Sequence, residues 1–390
     1  MPHVDVLKEL GRPPAVEALE GEDAVYVVGG AVRDVLLGRR PHELDFVVEG
    51  DAVAVARRAA ERLGGRVTVH ERFGTATVEA PQTTFDLATA RRERYETPGA
   101  LPEVELGASL EADLARRDFT VNAIAVHLAD GELSFHAGAR EDLDARRLRV
   151  LHERSFVDDP TRLLRLARYG ARLGFGPDPH TDGLAVSAIA GGALDTVTGA
   201  RLGAELRLLA REPQPAALAA LERNGLGKAL LGPAFSVDTE LVARAVALTP
   251  PDGDAGLAAL AAALHGSDDV VATLDRLAFP ASERETVAAG ARVAPLTALT
   301  DAELWRTLRG ARPEAVAVAG ALGDGAAARR WQDEVRHRRL AITGHDVVAA
   351  GLAGPAVGAG LDAAMEAMLD GRAPGREEQL AAALAPSMEP

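Results

Sequence analysis

The chain has 390 residues, more than one compact core usually holds, so two or more packed units are expected. Hydrophobic residues make up 47%, enough for globular folding, and no apolar run reaches the length of a membrane span. There is no cysteine, which excludes disulfides and thiolate metal sites.

The N-terminal MPHVDVLKELGRPP lacks the charged-then-apolar order of a secretory signal, so a soluble cytoplasmic protein with no membrane partner is expected. The net charge of −15 weighs against a nucleic-acid partner. A local basic cleft can nevertheless sit on an acidic body. Lysine occurs only at Lys8 and Lys228, so almost all positive charge is arginine, whose planar fork suits phosphates and base edges. GC-rich coding, which the Ala and Gly content also suggests, is the other reading of that bias.

In chain order, residues 24–28 (AVYVV) predict a buried strand closed by a turn at Gly29-Gly30. A short helix is expected over 31–38, a strand over 44–50, and a helix over 51–64 stopped by Gly64-Gly65. RVTVHE, TATVEA and TTFDLATA read as further strands. This interleaving continues to about residue 140. From about 141, helical spacing dominates and strands disappear. The segment 158–175 predicts a helix, with Asp159 at its N-cap and Pro160 at its first position. The fold class expected is α+β: an N-terminal α/β head with a small mixed sheet, then an all-α remainder.

Three features carry chemistry. VVGGAVRDVLLG (27–38) makes a strand–glycine–helix turn where backbone N–H groups meet phosphate, with Arg33 placed to grip a triphosphate. It is neither a Walker A loop nor a dinucleotide fingerprint. Glu43 and Asp45, alternate residues of one strand, would present two carboxylates on one face, a donor set for Mg2+. Two such ions activate a hydroxyl and stabilise a leaving pyrophosphate. A third carboxylate, Asp86, interrupts an apolar strand and needs an ion or a partner such as Arg91.

These segments resemble, in the same order, the class II tRNA nucleotidyltransferase/poly(A) polymerase family of the DNA polymerase β-like superfamily. GGAVRDVLLG is similar to that family's glycine–arginine motif, and ELDFVVEGD stands at its two-carboxylate strand. FGTATV and FDLATARRERYETPGALPEV resemble the third catalytic strand and the flexible loop after it. DLARRDFTVNAIA, SFVDDPTRLLRLARYGARLGF, TGARLGAELRLL and ITGHDVVAAGLAGPAVGAGL resemble further family segments. Along the chain the resemblance implies a catalytic head over 1–140, a nucleotide-reading neck over 141–210, a body over 211–310 and a tRNA-binding tail over 311–390.

It also implies roles. Glu43, Asp45 and Asp86 would be catalytic, with Glu43 and Asp45 holding Mg2+. Gly29, Gly30 and Arg33 would hold the triphosphate, and Arg117, Asp118 and Asn122 the sugar and phosphates. Asp159 and Arg162 would read the base. Three residues apart on a helix, they offer an acceptor and a donor fork to one base edge, able to select C and A over U and G. A plain helix cap is the alternative for Asp159. Arg165, with Arg162, Arg168 and Arg172, forms a stripe that would neutralise triphosphate or the tRNA end, or merely be solvated. RRWQDEVRHRR (329–339) reads as a solvated helix or a weak tRNA contact, and His345-Asp346 as structural rather than metal-binding.

Departures from the family pattern are Glu43 where Asp is usual, His136 where Asp is common, and Asp158 where Glu is common. The implied activity is template-independent addition of AMP, and of CMP as a further option, from ATP and CTP to the 3′ end of tRNA. A-only or CC-only addition, poly(A) synthesis and a non-catalytic RNA-binding role are the alternatives. The length of the 91–104 loop favours full CCA or terminal-A addition.

Overall fold

The computed structural model describes residues 5–41 and 43–385. The first four residues of the N-terminal segment, His42 and residues 386–390 lie outside the described residues. The chain divides into two compact units, Met1–Leu202 and Gly203–Pro390.

The first unit is built on one sheet. Its strands are β1 (Val25–Val28), β2 (Asp45–Val48), β3 (Arg66–His70), β4 (Thr75–Ala80), β5 (Thr83–Thr89), and, after an insertion, two further strands. The insertion is a separate antiparallel hairpin, β6 (Arg91–Arg94) with β7 (Glu103–Leu106). The last two sheet strands are β8 (Ile124–His127) and β9 (Leu133–Phe135). The sheet order is β3-β4-β5-β2-β1-β8-β9. Only β2 and β5 run parallel; the other neighbours are antiparallel, which makes the sheet mixed.

Period-two alternation decides which side of the sheet is core. Phe46 on β2 and Phe85 and Leu87 on β5 are buried at 1%, 4% and 0% exposure. They point to one face, where the rings of Phe46 and Phe85 meet edge to face at 5.5 Å. The helix Ala52–Leu63 packs against β3, β4 and β5 through Ala52, Val55, Ala56, Ala59 and Ala60. Asp51 caps that helix by accepting from the Ala54 N–H, and left-handed Gly64 ends it. Residues between the core positions, Asp45 and Asp86 among them, therefore face the other side.

Two expectations need correction here. The segment 158–175 is not one helix. A short helix, Ser155–Asp158, breaks at Asp159-Pro160 before the long helix Thr161–Leu173, and Pro160 occupies the cap position rather than the first turn. Strands also do not vanish after 141. Arg147–Leu148 and Gly176–Pro177 form a two-residue parallel pair that closes the polypeptide around the long helix.

The second unit is helical throughout its described residues. Small side chains set its spacing. A Cβ on Gly290 would meet the Ala261 methyl at 2.8 Å, and one on Gly320 would meet that of Ala328 at 2.3 Å. Trp331 and Gln332 of the basic 329–339 segment are buried, and Arg336 is paired to Asp252 at 2.6 Å, so this segment is partly core and not a solvated helix. Asp346 completes a capping box with Thr343, which gives the His345-Asp346 pair a structural role.

Leu87 supports the strand that carries Asp86, and its side chain is fully buried. Leu87→Ala should lower stability by about 2–5 kcal/mol in a denaturant melt of the intact chain. A loss below about 1 kcal/mol would mean that this face is not the load on which the strand rests.

Candidate active site

Strand register sets the first element of the site. Val28 faces Asp45 and Asp45 faces Asp86, on three adjacent strands. The carboxylate opposed to Asp45 is therefore Asp86, not Glu43. Glu43 lies before the first residue of β2, yet it lines one cavity with Asp45 and Asp86 and its charge acts on Asp45, so the two carboxylates expected together do lie together. Asp45 keeps access to solvent through the cleft, but protein surrounds it on most sides. That crowding comes first among the causes that raise its pKa; Arg117 opposes it, and the Glu43 and Asp86 charges add to it. Asp86 accepts a hydrogen bond from the Thr77 hydroxyl. Arg91 is not its partner, since Arg91 donates to Glu93 and to the Phe73 carbonyl. Among the described residues no three His, Cys, Asp or Glu side chains form a group that could hold a metal by themselves.

Beside Asp45 lies a cavity of about 300 Å3. Its lining brings together Gly29, Gly30, Asp45, Arg117, Asp118, Asn122, Asp159, Arg162 and Arg165, nine of the residues singled out in the sequence. Gly29 has φ 70°, and a Cβ there would meet Arg117 Nη1 at 2.9 Å. Only glycine permits that approach between turn and guanidinium.

Arg33 is placed differently from the expectation. It is 2% exposed and does not line the cavity. Its guanidinium donates to Asp34 at 2.7 and 2.8 Å and to the Asn122 side-chain oxygen. A direct grip on a triphosphate is thus spent on internal bonds, and Arg33 holds Asn122 in place instead. Asn122 donates to Asp118 Oδ1 at 2.9 Å, and Arg165 donates to Asp118 Oδ2 at 2.6 and 2.8 Å. Burial alone would raise the Asp118 pKa, but Arg165 and Asn122 outweigh it and hold the carboxyl down at about 2.

Asp159 sits in the break between two helices, so it does not share a helix face with Arg162. Both still line the cavity. Asp159 Oδ1 accepts from the Thr161 N–H at 3.1 Å, the Thr161 hydroxyl at 2.6 Å and Arg201 Nη2 at 2.9 Å. All of these go to one oxygen, which leaves Oδ2 as an open acceptor. The carboxylate is thus anchored through one oxygen and keeps the other for a further donor. Arg162 is 4% exposed; it donates to Ser155 Oγ at 2.6 Å and to the Arg116 carbonyl at 2.9 Å. With a longer contact from Nη1 to His152 Nε2 at 3.4 Å, these bonds still do not exhaust its five N–H groups. The arginine stripe is not a solvated face, since Arg162 and Arg168 are buried.

Sequence reasoning missed four residues of the cavity lining, Glu93, Tyr95, Arg116 and Tyr169, and also Arg201, which holds Asp159. Glu93, in the hairpin, accepts from Arg91 and from Arg116 at 2.8 Å. Arg116 also pairs with buried Asp113 at 2.7 Å. Tyr95 has its pKa pushed up to about 12, first by burial and then by Glu93. Arg201 bridges Asp159 and the hairpin tip, where it donates to the Gly99 carbonyl at 2.6 Å. The 91–104 segment is therefore a hairpin docked on the neck rather than a free loop; the Gly99 N–H donates to the Asp158 carbonyl at 3.2 Å. Alternating charge in RRER was the available signal for the hairpin. His136 is half-buried, and Asp158 pairs with Arg154 at 2.9 Å.

Opposed strand carboxylates beside a glycine turn, with an acid–arginine pair on the helices beyond, define the nucleotidyltransferase class. Residues 25–149 match the Poly A polymerase head domain. A CC-adding tRNA nucleotidyltransferase of Deinococcus radiodurans is 38% identical over 344 residues, covering 86% of this chain and 82% of the relative. The chain therefore belongs to the tRNA nucleotidyltransferase/poly(A) polymerase family. An A-adding tRNA nucleotidyltransferase of Geobacter sulfurreducens is 46% identical over 230 residues, covering 58% of this chain and 26% of the relative. The chain spans between 23% and 55% of the length of the A-adding relatives it matches. A solved structure of a CCA-adding enzyme in an apo form is 28% identical, with a TM-score of 0.80 and 98% of each chain covered.

The low pKa of Asp118 has a testable consequence. Its folded value, about 2, lies below its ordinary 3.8. It therefore contributes stability above about pH 4 that disappears as pH falls through 2. The difference corresponds to roughly 2 kcal/mol. Asp118→Asn should be less stable at pH 7 and show a shallower loss of stability between pH 4 and 2 than the parent. Parallel stability–pH curves for the two proteins would contradict the Arg165 pairing.

Proposed function

We propose that this chain transfers AMP from ATP to the 3′ end of tRNA and releases pyrophosphate, without a template. One observation carries the reading: Asp45, opposed to Asp86 across β2 and β5, lines a cavity that also holds Asp159 and Arg162. No helix among the described residues is long and apolar enough to cross a membrane, and the chain lacks cysteine, which supports a cytoplasmic setting.

A divalent cation fits the carboxylates. The crowding of Asp45 by Asp86 and Glu43 is a repulsion that a cation relieves, and carboxylate oxygens are the donors Mg2+ takes. Asp45 and Asp86 would hold it, with Glu43 adding charge; phosphate oxygens and water supply the remaining ligands. Bound there, it would lower the pKa of the attacking hydroxyl and neutralise charge on the leaving group.

The protein's own groups bind and choose the nucleotide. Arg117, pressed against Gly29, faces the phosphates. The 3′-hydroxyl of the RNA forms a new O–P bond at the α-phosphorus and gives up its proton to water, while the bond to pyrophosphate breaks. Asp159 Oδ2 accepts from the exocyclic amino group that adenine and cytosine share and that uracil lacks. Arg162 donates to the acceptors on the same edge. Arg201 fixes Asp159 Oδ1, so Oδ2 keeps its aim. Arg33 positions Asn122 and, through it, Asp118.

Transfer is tested by incubating tRNA ending before CCA, before CA and before A with each NTP and Mg2+. Incorporation of AMP on tRNA lacking only the terminal A is the expected result, and no incorporation on any acceptor would defeat the reading. In the same assay, Asp159→Ala should relax the kcat/KM preference for ATP over UTP and GTP by about tenfold or more, as expected for loss of one base-edge contact. An unchanged ranking would reduce Asp159 to a helix cap.

A further inference from the structure

The turn before the short helix Ser155–Asp158 reaches Arg162 with two side chains. Ser155 Oγ accepts from Arg162 Nη1 at 2.6 Å, and His152 Nε2 lies 3.4 Å from the same Nη1. The Ser155 N–H donates to the His152 carbonyl at 3.1 Å, which fixes both side chains in one turn. Both Nη1 hydrogens are thereby engaged, and one Nη2 hydrogen goes to the Arg116 carbonyl. Among the described residues, that leaves the Nε–H and one Nη2 hydrogen, neighbours on one edge of the fork, for a base.

Arg162 lines the nucleotide cavity and His152 does not. Any effect of His152 on a nucleotide therefore passes through Arg162. A guanidinium only donates, so the contact with Nη1 requires Nε2 without a proton. Across the ring, Nδ1 faces Asp158 Oδ2 at 4.0 Å, and a carboxylate there favours the ring proton on Nδ1. Asp158 Oδ1 is held by Arg154 at 2.9 Å. The charges acting on the imidazole are thus Arg162 on the long helix, Asp158 on the short helix and Arg154 on its own turn. Crowding by protein comes first, and the Arg162 charge second, in holding the His152 pKa below its ordinary 6.5; Asp158 opposes them. The neutral ring is therefore the main form at pH 7.

We propose that His152 is a positioning residue for Arg162: its neutral ring holds the Nη1 end of the guanidinium so that the opposite edge meets the base, and protonation of the ring releases it. The inference rests on base reading by Asp159 and Arg162 as set out above. A protonated imidazole has no acceptor and puts a second positive charge 3.4 Å from Nη1. Contact turns into repulsion. The guanidinium then loses one of its three anchors, keeping Ser155 and the Arg116 carbonyl. Nucleotide selection therefore weakens as pH falls. The grip on the triphosphate, which rests on Arg117 and the cation, does not pass through His152.

The test is equilibrium binding of ATP, GTP and UTP to the full chain, with Mg2+ and no RNA, by calorimetry at about pH 8 and about pH 5.5, near the two ends of the imidazole's range. The ratio of affinities cancels whatever pH does to the triphosphate, the cation and its carboxylates. In the parent, the preference for ATP over GTP and UTP should fall about threefold to tenfold on acidification, as loss of one hydrogen bond does. His152→Ala should show the lower preference at both pH values. His152→Gln, whose amide oxygen stands in for Nε2 and does not titrate, should keep the parent's high-pH preference at both. A melting temperature at each pH verifies folding for every variant. A parent preference that ignores pH, or His152→Ala matching the parent at both pH values, would overturn the assignment. So would His152→Gln losing its preference on acidification as the parent does, since another group would then be titrating. Equal binding of all three nucleotides by the parent at the higher pH would defeat base reading itself, and this inference with it. No readout needs turnover. A chain whose choice of ATP follows pH and His152 as expected, yet transfers nothing to RNA, would defeat the transfer reading alone and leave this assignment standing.

Discussion

The parallel pairing of β2 with β5 sets two aspartates against each other, Asp45 opposite Asp86. Like charges brought together in a crowded cleft cost stability, and a fold selected for stability alone would separate them. The rest of the first unit works to hold them there. Phe46, Phe85 and Leu87 lock the two strands from behind, and alternation then leaves the aspartates no orientation but the open face. A one-residue slip of β5 would bury Asp86 and expose Leu87. The core thus fixes the site by register rather than by direct contact.

Around this pair the arginines are spent locally. Arg33, Arg116, Arg162 and Arg165 each bond a carboxylate, an amide or a carbonyl of the first unit. A chain with net charge −15 therefore need not repel a triphosphate, since three of the four acids that line the cavity, Glu93, Asp118 and Asp159, are already paired with arginine. Pairing also removes freedom. The guanidiniums of Arg116, Arg162 and Arg165 line the cavity from fixed positions, which reduces the ordering cost of binding.

Much of this was legible in the sequence because it depends on short-range rules. The strand–glycine–helix turn, the helix stopped at Gly64 and the strand carrying Asp86 all follow from periodicity and turn chemistry. What failed depended on partners distant in sequence. Arg33 looked free one turn into a helix, but Asn122, 89 residues on, claims it. Glu43 was visible beside Asp45, but that strand pairing also sets Asp86 directly opposite could not be read locally. Asp159 and Arg162 looked like one helix face, but the helix breaks between them. They still converge, because the cavity wall is made of both helices' ends. Arg201 had no local signal; only the folded neck brings it to Asp159 and Gly99.

The central claim is that Asp45 shares a crowded cleft with the Glu43 and Asp86 charges, which act against its own, and that a divalent cation relieves this. Thermal melts of the parent, Asp45→Asn and Asp86→Asn, each with EDTA or with Mg2+ and a non-hydrolysable ATP analogue, test it most directly. The account predicts that both variants melt at or above the parent's temperature in EDTA, and that only the parent gains stability from Mg2+ with the analogue. Variants that melt well below the parent in EDTA, or that gain as much from Mg2+ and the analogue as the parent does, would contradict it.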